Sequence, residues 1–305
     1  MSKILITGAV GFIGSKLSEK FLENGYIVEG WDLIPGIHTR IDIKKVDMSD
    51  AAAVMKALEE CHPDIIIHCA GSADVSQSVR FPELDYSGNV TSTHNILFAA
   101  HRLHLDEGQT RFVFLSSAGV YGNPVTLPIT EEMKLNPLSP YALHKVMCEE
   151  MCIYFGRNYG MDIKIARIFS AYGKGLRKQI FWDMYNKFKK TGRLDMFGTG
   201  KESRDYIHVS DVVEALFILS TVQTKDIIFN VANGEETTIE QVTKLFADYF
   251  EIEQKRITFN GIFREGDPLN WRADISRMQS LGYRKTVDMK PALKEYCEWA
   301  AEMYL

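Results

Sequence analysis

The chain of 305 residues lacks the features that place a protein in a membrane or in an oxidising compartment. Its five cysteines are odd in number and form no C-x-x-C pair, which favours free thiols over a disulfide framework. No apolar run approaches the roughly 18 residues of a membrane-spanning helix, and the apolar stretch near Met1 is too short for a secretory signal. We therefore expect a cytoplasmic protein with no membrane partner.

The chain also has no excess of positive charge. Its 35 Lys and Arg residues against 40 Asp and Glu residues give a formal net charge of -5, so no overall basic field gathers nucleic-acid phosphates. His94, His101 and His104 fall on one predicted helix without a cysteine or carboxylate at ligand spacing, so no metal site is expected. Any phosphate-binding site must therefore be local.

Apolar sequence, in contrast, is sufficient for a full core. Hydrophobic residues make up 46% of the chain, and its length suits one large domain or two smaller ones. In the first 170 residues short apolar runs alternate with helical patterns, and the central runs are continuously apolar, as in a parallel sheet. The predicted strands are Lys3–Thr7, Tyr26–Trp31, Ile43–Val46, Asp64–His68, Arg111–Ser116 and Asp162–Ile168.

The predicted helices separate these strands. The first carries Ile13, Leu17 and Phe21 at i, i+4 spacing and ends at Gly25, and others are predicted at about 50–60, 85–104 and 141–157. This alternation predicts a Rossmann-like, doubly wound α/β fold with right-handed crossovers.

The pattern loosens after about residue 170, where helices are predicted at about 178–191, 210–221, 238–250 and 290–303. We expect a domain over residues 1–170 and a smaller α/β lobe over 171–305, with the chain free to cross between them. A ligand site is expected in the cleft.

A glycine-rich turn follows the first predicted strand. Gly8, Gly11 and Gly14 are spaced G-x-x-G-x-x-G, a departure from the commonest G-x-G-x-x-G pattern, and Phe12 and Ile13 open the next helix. These glycines permit a tight turn, leave the backbone open to a pyrophosphate and aim a helix N-terminus at its charge. The strand, turn and helix together predict a dinucleotide-binding loop.

The residue at the end of the second predicted strand indicates which dinucleotide binds. Asp32 lies 18 residues beyond Gly14, where a carboxylate accepts hydrogen bonds from ribose hydroxyls and repels a 2′-phosphate. This favours NAD over NADP, although Arg40 leaves NADP open.

Further cofactor contacts are predicted at two other strand ends. Asp47 and its neighbour Met48 follow the third strand, where Asp47 would meet the adenine amino group or, alternatively, serve as an acid at a helix N-terminus. Ala70 and Gly71 follow the fourth strand, where small residues let a ribose pack closely. These positions complete the predicted dinucleotide site.

A set of hydroxyl and amine side chains follows the fifth strand. Tyr141 and Lys145 are spaced i, i+4, so they share one helix face, and Ser117 directly follows the fifth predicted strand. An adjacent ammonium and a cationic nicotinamide both stabilise a phenolate, which brings the pKa of Tyr141 towards neutral pH. We therefore predict Tyr141 as the general acid or base, with Ser117 bonded to the same substrate oxygen.

These motifs resemble those of the extended short-chain dehydrogenase/reductase family, in its branch of nucleotide-sugar epimerases and dehydratases. The resemblance rests on Thr7–Gly14, Ser116–Gly122 and Ser139–Lys145 and extends over nearly the whole chain. It implies that residues 1–170 are the NAD-binding Rossmann domain and residues 171–305 the nucleotide-sugar-binding lobe. It also implies that Asn89 lies near the active site and helps to hold the cofactor.

The second lobe carries segments that match the family's substrate-binding motifs. The segment Gly198–Asp211 resembles the one whose arginine grips the nucleotide diphosphate, which implies that role for Arg204. A later segment implies that Arg264 and Asp267 meet phosphate and ribose. Guanidinium groups suit this role because they form forked hydrogen bonds with phosphate.

The chain also departs from the family pattern. Ser170 stands where the family often has Asn and can donate only one hydrogen bond, so the substrate contacts there differ. Ala118 and Gly119 occupy the places of the Asp-Glu pair that transfers protons in the dehydratase branch. Because neither residue can transfer a proton, the sequence argues against a 4,6-dehydratase.

Two reactions fit the remaining motifs. The preferred hypothesis is an NAD-dependent nucleotide-sugar 4-epimerase that acts through a transient 4-keto sugar, and Asp32 favours it because biosynthetic reductases more often use NADPH. The alternative is an NAD(P)H-dependent reductase of a nucleotide-linked 4-keto-6-deoxy sugar. The motifs do not identify the base or the sugar.

The resemblance further implies a homodimer. The helices at about 85–104 and 141–157 resemble those that pair across a two-fold axis in this family. Residues that would supply the seam, or would instead face the sheet, are Leu97, Phe98, Met147, Met151 and Tyr154.

Overall fold

A computed structural model describes residues 2–34, 40–107, 110–263 and 268–303. Its strands are β1 (Lys3–Thr7), β2 (Ile27–Asp32), β3 (Ile43–Lys45), β4 (Ile65–His68), β5 (Arg111–Ser117), β6 (Asp162–Ile168), β7 (Ser170–Tyr172), β8 (Leu194–Met196), β9 (Ser203–Arg204), β10 (Tyr206–His208), β11 (Ile228–Val231), β12 (Thr237–Thr238) and β13 (Ile257–Phe259).

The helices alternate with these strands. They are α1 (Phe12–Glu23), α2 (Ala51–Cys61), α3 (Val75–Arg80), α4 (Pro82–Tyr86), α5 (Ser92–Glu107), α6 (Pro140–Tyr159), α7 (Gln179–Thr191), α8 (Val209–Thr221), α9 (Ile239–Tyr249), α10 (Ser276–Ser280) and α11 (Met289–Glu302). A π-helical turn at Ser87–Thr91 joins α4 to α5, and 3-10 turns lie at Ala118–Tyr121 and Gln254–Arg256.

Seven parallel strands form the central sheet in the order β11-β6-β5-β4-β1-β2-β3. The chain turns from β1 to β2 on one side and to β4 on the other, so the strand order reverses at β1. In doubly wound sheets ligands bind at the carboxyl ends of the strands beside such a reversal. The predicted Rossmann-like α/β fold is confirmed.

The six strands predicted from the sequence are all present, with ends that differ by at most one residue. The seventh strand of the sheet, β11, was missed because its short segment lies in the half of the chain where the alternation loosens. β11 pairs in parallel with β6, Ile228 lying opposite Ile165. The chain therefore crosses back from the second half into the sheet, while the boundary at residue 170 stays a prediction.

Apolar side chains cover both faces of the sheet. On one face α1 packs against α8, where the rings of Phe21 and Phe217 lie 5.1 Å apart and Lys20 pairs with Glu214 at 2.6 Å. On the other face the core includes Trp31, Leu97, Phe112 and Cys152, all fully buried. This burial on both sides explains the continuous apolar runs of the central strands.

A third core is built from buried residues between Tyr172 and Ala300 and is rich in aromatic rings. Its buried members include Phe181 and Tyr185 of α7, Phe246 of α9 and Tyr296 of α11.

No helix in the described ranges is long and apolar enough to span a bilayer.

Candidate active site

The glycine-rich turn joins β1 to α1 in a closely packed loop. Gly8 has a left-handed φ of 68°, and a Cβ there would lie 2.8 Å from the backbone nitrogen of Ala70. A Cβ on Gly14 would lie 2.2 Å from the carbonyl oxygen of Gly8. Gly11 caps α1 without a side-chain hydrogen bond, because it has no side chain that could cover the first-turn N–H groups of α1. The loop therefore offers an anion a bare backbone and a helix N-terminus.

Asp32 ends β2 beside this loop. Its Oδ2 accepts a hydrogen bond of 3.1 Å from the backbone N–H of Val10, which fixes the carboxylate at the loop. The guanidinium of Arg40, the residue that left NADP open, lies 3.8 Å from the carboxylate of Glu23. The Asp32 carboxylate, a hydrogen-bond acceptor, therefore lies at the end of β2, where the sequence predicts a ribose-binding acid.

Asp47 and Met48 differ in their exposure to solvent. Asp47 is exposed, and hydrogen bonds from the N–H and hydroxyl of Ser49 hold the pKa of its carboxyl below the usual value. The N-cap of α2 is Asp50, so Asp47 does not fill the capping role considered as its alternative. The Met48 side chain is buried in the core, so only Asp47 of this pair presents a side chain to a ligand.

Gly71 and Asn89 meet closely behind the cofactor loop. Gly71 has a φ of 149°, and a Cβ there would lie 2.6 Å from Asn89 Oδ1. Asn89 lies in the π-helical turn, is buried, and donates through Nδ2 to the carbonyl of Asp85 at 3.2 Å. Among the described residues Asn89 Oδ1 has no hydrogen-bond partner. Ala70 is fixed by a 3.2 Å hydrogen bond from its N–H to Thr7 Oγ1.

The first turn of α6 carries the predicted catalytic tyrosine. Ser139 caps the helix by accepting from the N–H of Ala142, Pro140 occupies the first turn, and the Tyr141 N–H donates to Ser78 Oγ at 3.1 Å. Ser117 Oγ in turn accepts from the N–H of Gly119 at 3.1 Å. Local capping therefore fixes Tyr141 at the carboxyl end of β5.

Lys145 lies one turn further along α6 and is nearly buried. Its Nζ donates to the carbonyl of Leu115 at 2.9 Å and lies 4.8 Å from the ring centroid of Phe114. The distance from Nζ to the ring centroid of Tyr141 is 6.0 Å. The pair shares one helix face, as the i, i+4 spacing predicts.

In the protein by itself the pKa of Tyr141 lies above the ordinary value, at about 12. Burial is the largest cause, a hydrogen bond with Ser117 lowers the pKa, and the charges of Asp85 and Cys148 raise it. The lowering expected from Lys145 together with a cationic nicotinamide stays a prediction. Burial also lowers the pKa of Lys145, whose ammonium bonds the Leu115 carbonyl. The ammonium alone therefore does not bring the phenol towards neutral pH, because the desolvation of the phenolate is the larger effect.

These residues face a cavity of about 720 Å³ at the switch point of the sheet. This volume is within the range of small-molecule sites. The predicted site residues that line it are Ile13, Gly71, Ser117, Tyr141, Lys145, Ser170 and Arg204. Within the described ranges, no group of three His, Cys, Asp or Glu side chains could hold a metal ion.

Arg204 is held on the far wall of the cavity by an aromatic ring. Its guanidinium carbon lies 5.7 Å from the ring centroid of Trp271, and Nη1 donates to the carbonyls of Ser203 at 2.9 Å and Leu269 at 3.3 Å. Trp271 is fixed by its own Nε1–H, which donates to the carbonyl of Gly122 at 2.9 Å. Sequence reasoning missed Trp271, although it follows the segment singled out for Arg264 and Asp267.

The remaining predicted substrate residues differ in what the structure describes. Ser170 begins β7, lines the cavity, and its N–H donates to the carbonyl of Asp205 at 3.0 Å. Arg264 and Asp267 lie outside the described residues. Their roles therefore stay predictions.

Asp205, next to Arg204, joins its own segment of the chain to two others by hydrogen bonds. Its carboxylate accepts hydrogen bonds from the N–H groups of Asn233, Gly234 and Ala273, each between 2.9 and 3.0 Å. Burial raises the pKa of Asp205 to about 7 although these three donors act to lower it. The buried Asp205 carboxylate therefore stabilises the part of the cavity wall that includes Arg204.

The arrangement offers a dinucleotide the glycine loop and offers a second anionic ligand the guanidinium of Arg204, in a cavity that Tyr141 also lines. Comparisons with known proteins identify the family. The family model described as "NAD dependent epimerase/dehydratase family" matches residues 4–232. The putative UDP-glucose 4-epimerase of Methanocaldococcus jannaschii is 33% identical, with 97% of each chain covered.

Two further relatives bear on the reaction and the fold. The GDP-6-deoxy-D-mannose reductase of Pseudomonas aeruginosa is 27% identical over 96% of this chain and 95% of that protein. The crystal structure of a UDP-glucose 4-epimerase with UDP-glucose from Thermotoga maritima superposes with a TM-score of 0.90 at 26% identity, covering 99% of this chain and 100% of that one. The chain belongs to the NAD-dependent epimerase/dehydratase family, and NAD is its cofactor.

Proposed function

We propose that the protein is an NAD-dependent nucleotide-sugar 4-epimerase that acts through a transient 4-keto sugar. The observation that carries this proposal is that one cavity is lined by Ser117, Tyr141 and Lys145 together with Arg204 and with Ile13 of the first turn of α1. The full-length likeness to a putative UDP-glucose 4-epimerase supports it. Ala118 and Gly119 offer no acid pair for dehydration.

The cofactor loop fits NAD by its lack of side chains. At the helix N-terminus there is room only for backbone. A Cβ at Gly14 would lie 2.2 Å from the Gly8 carbonyl oxygen, and a Cβ at Gly8 would lie 2.8 Å from the backbone nitrogen of Ala70. We propose that Gly8, Gly11, Phe12, Ile13 and Gly14 hold the pyrophosphate.

Residues around this loop complete the proposed cofactor site. Asp32 binds the adenosine ribose and Asp47 lies at the adenine, while Met48, whose side chain is buried in the core, adds only backbone there. Ala70 and Gly71, the latter backed by Asn89, pack against the cofactor on the other side of the strand reversal. Tyr141 and Lys145 reach its nicotinamide end.

In the proposed reaction Tyr141 takes the proton of the sugar 4-hydroxyl and later returns it. Ser117 hydrogen-bonds the same oxygen and steadies its developing charge. When bound, NAD⁺ supplies a positive charge beside the phenol and exchanges hydride with the sugar C4. Lys145 adds its ammonium to this field, so the two cations together offset the burial that raises the pKa of Tyr141 to about 12.

The proposed substrate is a UDP-linked hexose. Arg204, stacked on Trp271, would clamp the diphosphate by forked hydrogen bonds, and Ser170 would supply one further donor. We assign Arg264 and Asp267 to phosphate and ribose on the family resemblance. Several relatives are named for UDP-sugars, including a UDP-glucuronate 4-epimerase of Thermodesulfobacterium geofontis that is 27% identical.

The second candidate function is reduction of a nucleotide-linked 4-keto-6-deoxy sugar with NAD(P)H. It is favoured by the 27% identity to the GDP-6-deoxy-D-mannose reductase over nearly the full chain. Tyr141 would then donate its proton once, to the alkoxide formed at C4. The two functions differ in whether the enzyme consumes a reduced cofactor.

Replacement of the phenol tests the catalytic assignment. Tyr141→Phe should lower turnover of UDP-glucose by about 10²- to 10⁴-fold, the usual contribution of a general acid–base group, while NAD binding persists. Tyr296→Phe is the matched control, since Tyr296 OH donates to the Leu176 carbonyl within the core of the second lobe. Unchanged turnover in Tyr141→Phe would overturn the assignment.

The same proposal assigns residues 1–170 to NAD binding and residues 171–305 to nucleotide-sugar binding, with 209–231 returning to the sheet. It places the enzyme in the cytoplasm, which the five free cysteines support. It also makes the enzyme a homodimer through α5 and α6. Phe98, Met147 and Tyr154 support the dimer because they are exposed apolar residues, whereas Leu97 is fully buried against the sheet.

A further inference from the structure

A buried acid and a buried histidine meet behind the catalytic turn. Asp85 of α4 and His144 of α6 are 2% and 7% exposed, and His144 Nδ1 lies 2.6 Å from Asp85 Oδ2. The edge of the Tyr86 ring packs on the imidazole with ring centroids 5.4 Å apart. A pair buried at this depth must meet its polar needs within the protein.

Apart from His144, few polar contacts offset the free-energy cost of burying the Asp85 carboxylate. Its Oδ1 has no hydrogen-bond partner among the described residues, and Oδ2 bonds His144. The charged residues nearest in sequence on α3 and α4, Arg80 and Glu83, are exposed to solvent. The carboxylate therefore depends on the Nδ1–H of His144.

His144 lies between the two residues proposed to act on the cofactor and substrate. It follows Tyr141 by three residues and precedes Lys145 by one, so it shares their helical turn. The charge of Asp85 reaches both, raising the pKa of Tyr141 and that of Lys145.

The other titratable groups around Lys145 carry no comparable charge. Besides Asp85, the groups whose charges raise the pKa of Lys145 are the thiols of Cys148 and Cys152 of α6 and of Cys69 after β4. The charge of Lys145 in turn lowers the pKa of His68 of β4. Burial raises the pKa of all three thiols, so they stay neutral near pH 7. Asp85 is the single carboxylate in this set.

We propose that Asp85, held by His144, is a positioning residue that keeps Lys145 positively charged behind the reacting Tyr141. The inference rests on the proposed function for the roles of Tyr141 and Lys145. A buried ammonium needs a nearby negative charge to stay protonated, and α4 supplies it from outside the cavity. The same charge disfavours the Tyr141 phenolate, so the pair sets the pH at which the site works.

The sign of the effect is the same for both residues. Asp85→Asn removes the negative charge while the new side-chain amide oxygen still accepts from His144, so the pKa values of Tyr141 and Lys145 both fall. The bell-shaped pH profile of turnover with NAD⁺ and UDP-glucose should move as a whole to lower pH, by roughly one unit. Asp50→Asn, an exposed cap of α2, is the matched control and should leave the profile in place.

Two variants of His144 separate the charge from mere packing. His144→Asn keeps a donor near the position of Nδ1 and should retain the wild-type profile. His144→Leu leaves Asp85 buried without its hydrogen-bond donor, which disfavours a negative charge there, so the profile should shift to lower pH as in Asp85→Asn. This comparison also carries the test if Asp85→Asn does not fold.

A titration independent of turnover distinguishes failure of this inference from failure of the proposed function. The near-ultraviolet phenolate absorbance of the NAD⁺ complex, corrected by the matching Tyr141→Phe variant, reports ionisation of Tyr141 alone. It should begin at lower pH in Asp85→Asn than in wild type. A folded Asp85→Asn protein with the wild-type titration and profile, or a His144→Leu protein that behaves like His144→Asn, would overturn the inference.

Discussion

Replacing Gly14 by Ala tests how closely the cofactor loop is packed. A Cβ at this position would lie 2.2 Å from the Gly8 carbonyl oxygen, 3.0 Å from the Gly8 carbonyl carbon and 3.1 Å from the Ala9 Cα, all backbone atoms. Ordinary contact begins at 3.4 Å, so the Gly8 carbonyl must move by about 1 Å. That carbonyl accepts the 3.0 Å hydrogen bond from the N–H of Gly11, which shapes the turn.

The expected loss follows from this displacement. A misplacement of about 1 Å in a binding site costs about 100-fold, or about 2.7 kcal/mol, so the Kd for NAD should rise by about that factor. Overpacking costs about 1–3 kcal/mol of stability, part of which the better helix propensity of Ala offsets. Because domains are stable by about 5–15 kcal/mol, the variant should still fold.

Titration calorimetry of NAD binding measures this loss, and circular dichroism checks the fold. Gly156→Ala in α6 is the matched control, because its nearest contact would be Ile163 Cγ1 at 3.3 Å, which needs a shift of only a few tenths of an ångström, and Gly156 lies outside the cavity lining. It should bind NAD as wild type does. If folded Gly14→Ala also bound NAD with wild-type affinity, the loop would not hold the pyrophosphate as argued.

Three further changes test the second ligand site, the core and the dimer. Arg204→Gln should raise the KM for UDP-glucose by about 10- to 100-fold through loss of a charged hydrogen bond, with a smaller change in kcat. A KM equal to that of wild type would remove Arg204 from the substrate site. Burial lowers the pKa of His68 from 6.5 to about 3, so stability present above pH 6.5 is lost as pH falls towards 3. Between pH 7 and pH 4.5 the free energy of unfolding in urea should fall by about 3 kcal/mol because of His68. This part of the fall should be absent in His68→Asn. If the free energy fell equally in that variant, His68 would not be its cause. Tyr154→Asp should give monomers by light scattering, whereas Val125→Asp, at a fully exposed site, should not.

The sheet could be predicted from the sequence because its central strands are buried on both faces. Ile4, Leu5 and Ile6 are fully buried, so the run that they form carries no polar interruption. β11 escaped prediction because four residues between turns give no periodic signal of their own. Its place in the sheet is decided by pairing with β6, a contact between segments that are distant in the sequence.

The candidate site was predictable where its chemistry follows a local spacing. Tyr141 and Lys145 face one cavity because i, i+4 residues share a helix face. The support of Arg204 by Trp271 and the pairing of Asp85 with His144 join distant segments, so no local pattern indicates them. The burial that raises the pKa of Tyr141 was not predictable either, since burial depends on the whole fold.

One measurement tests the central claim most directly. The purified protein is incubated with UDP-glucose and NAD⁺ without reduced cofactor, while product is followed by nuclear magnetic resonance and reduced nicotinamide by its absorbance. An epimerase should form the 4-epimer, UDP-galactose, with no net accumulation of NADH. Failure to interconvert UDP-sugars, together with consumption of one NADH for each 4-keto-6-deoxy sugar nucleotide supplied, would contradict the account and establish the reductase.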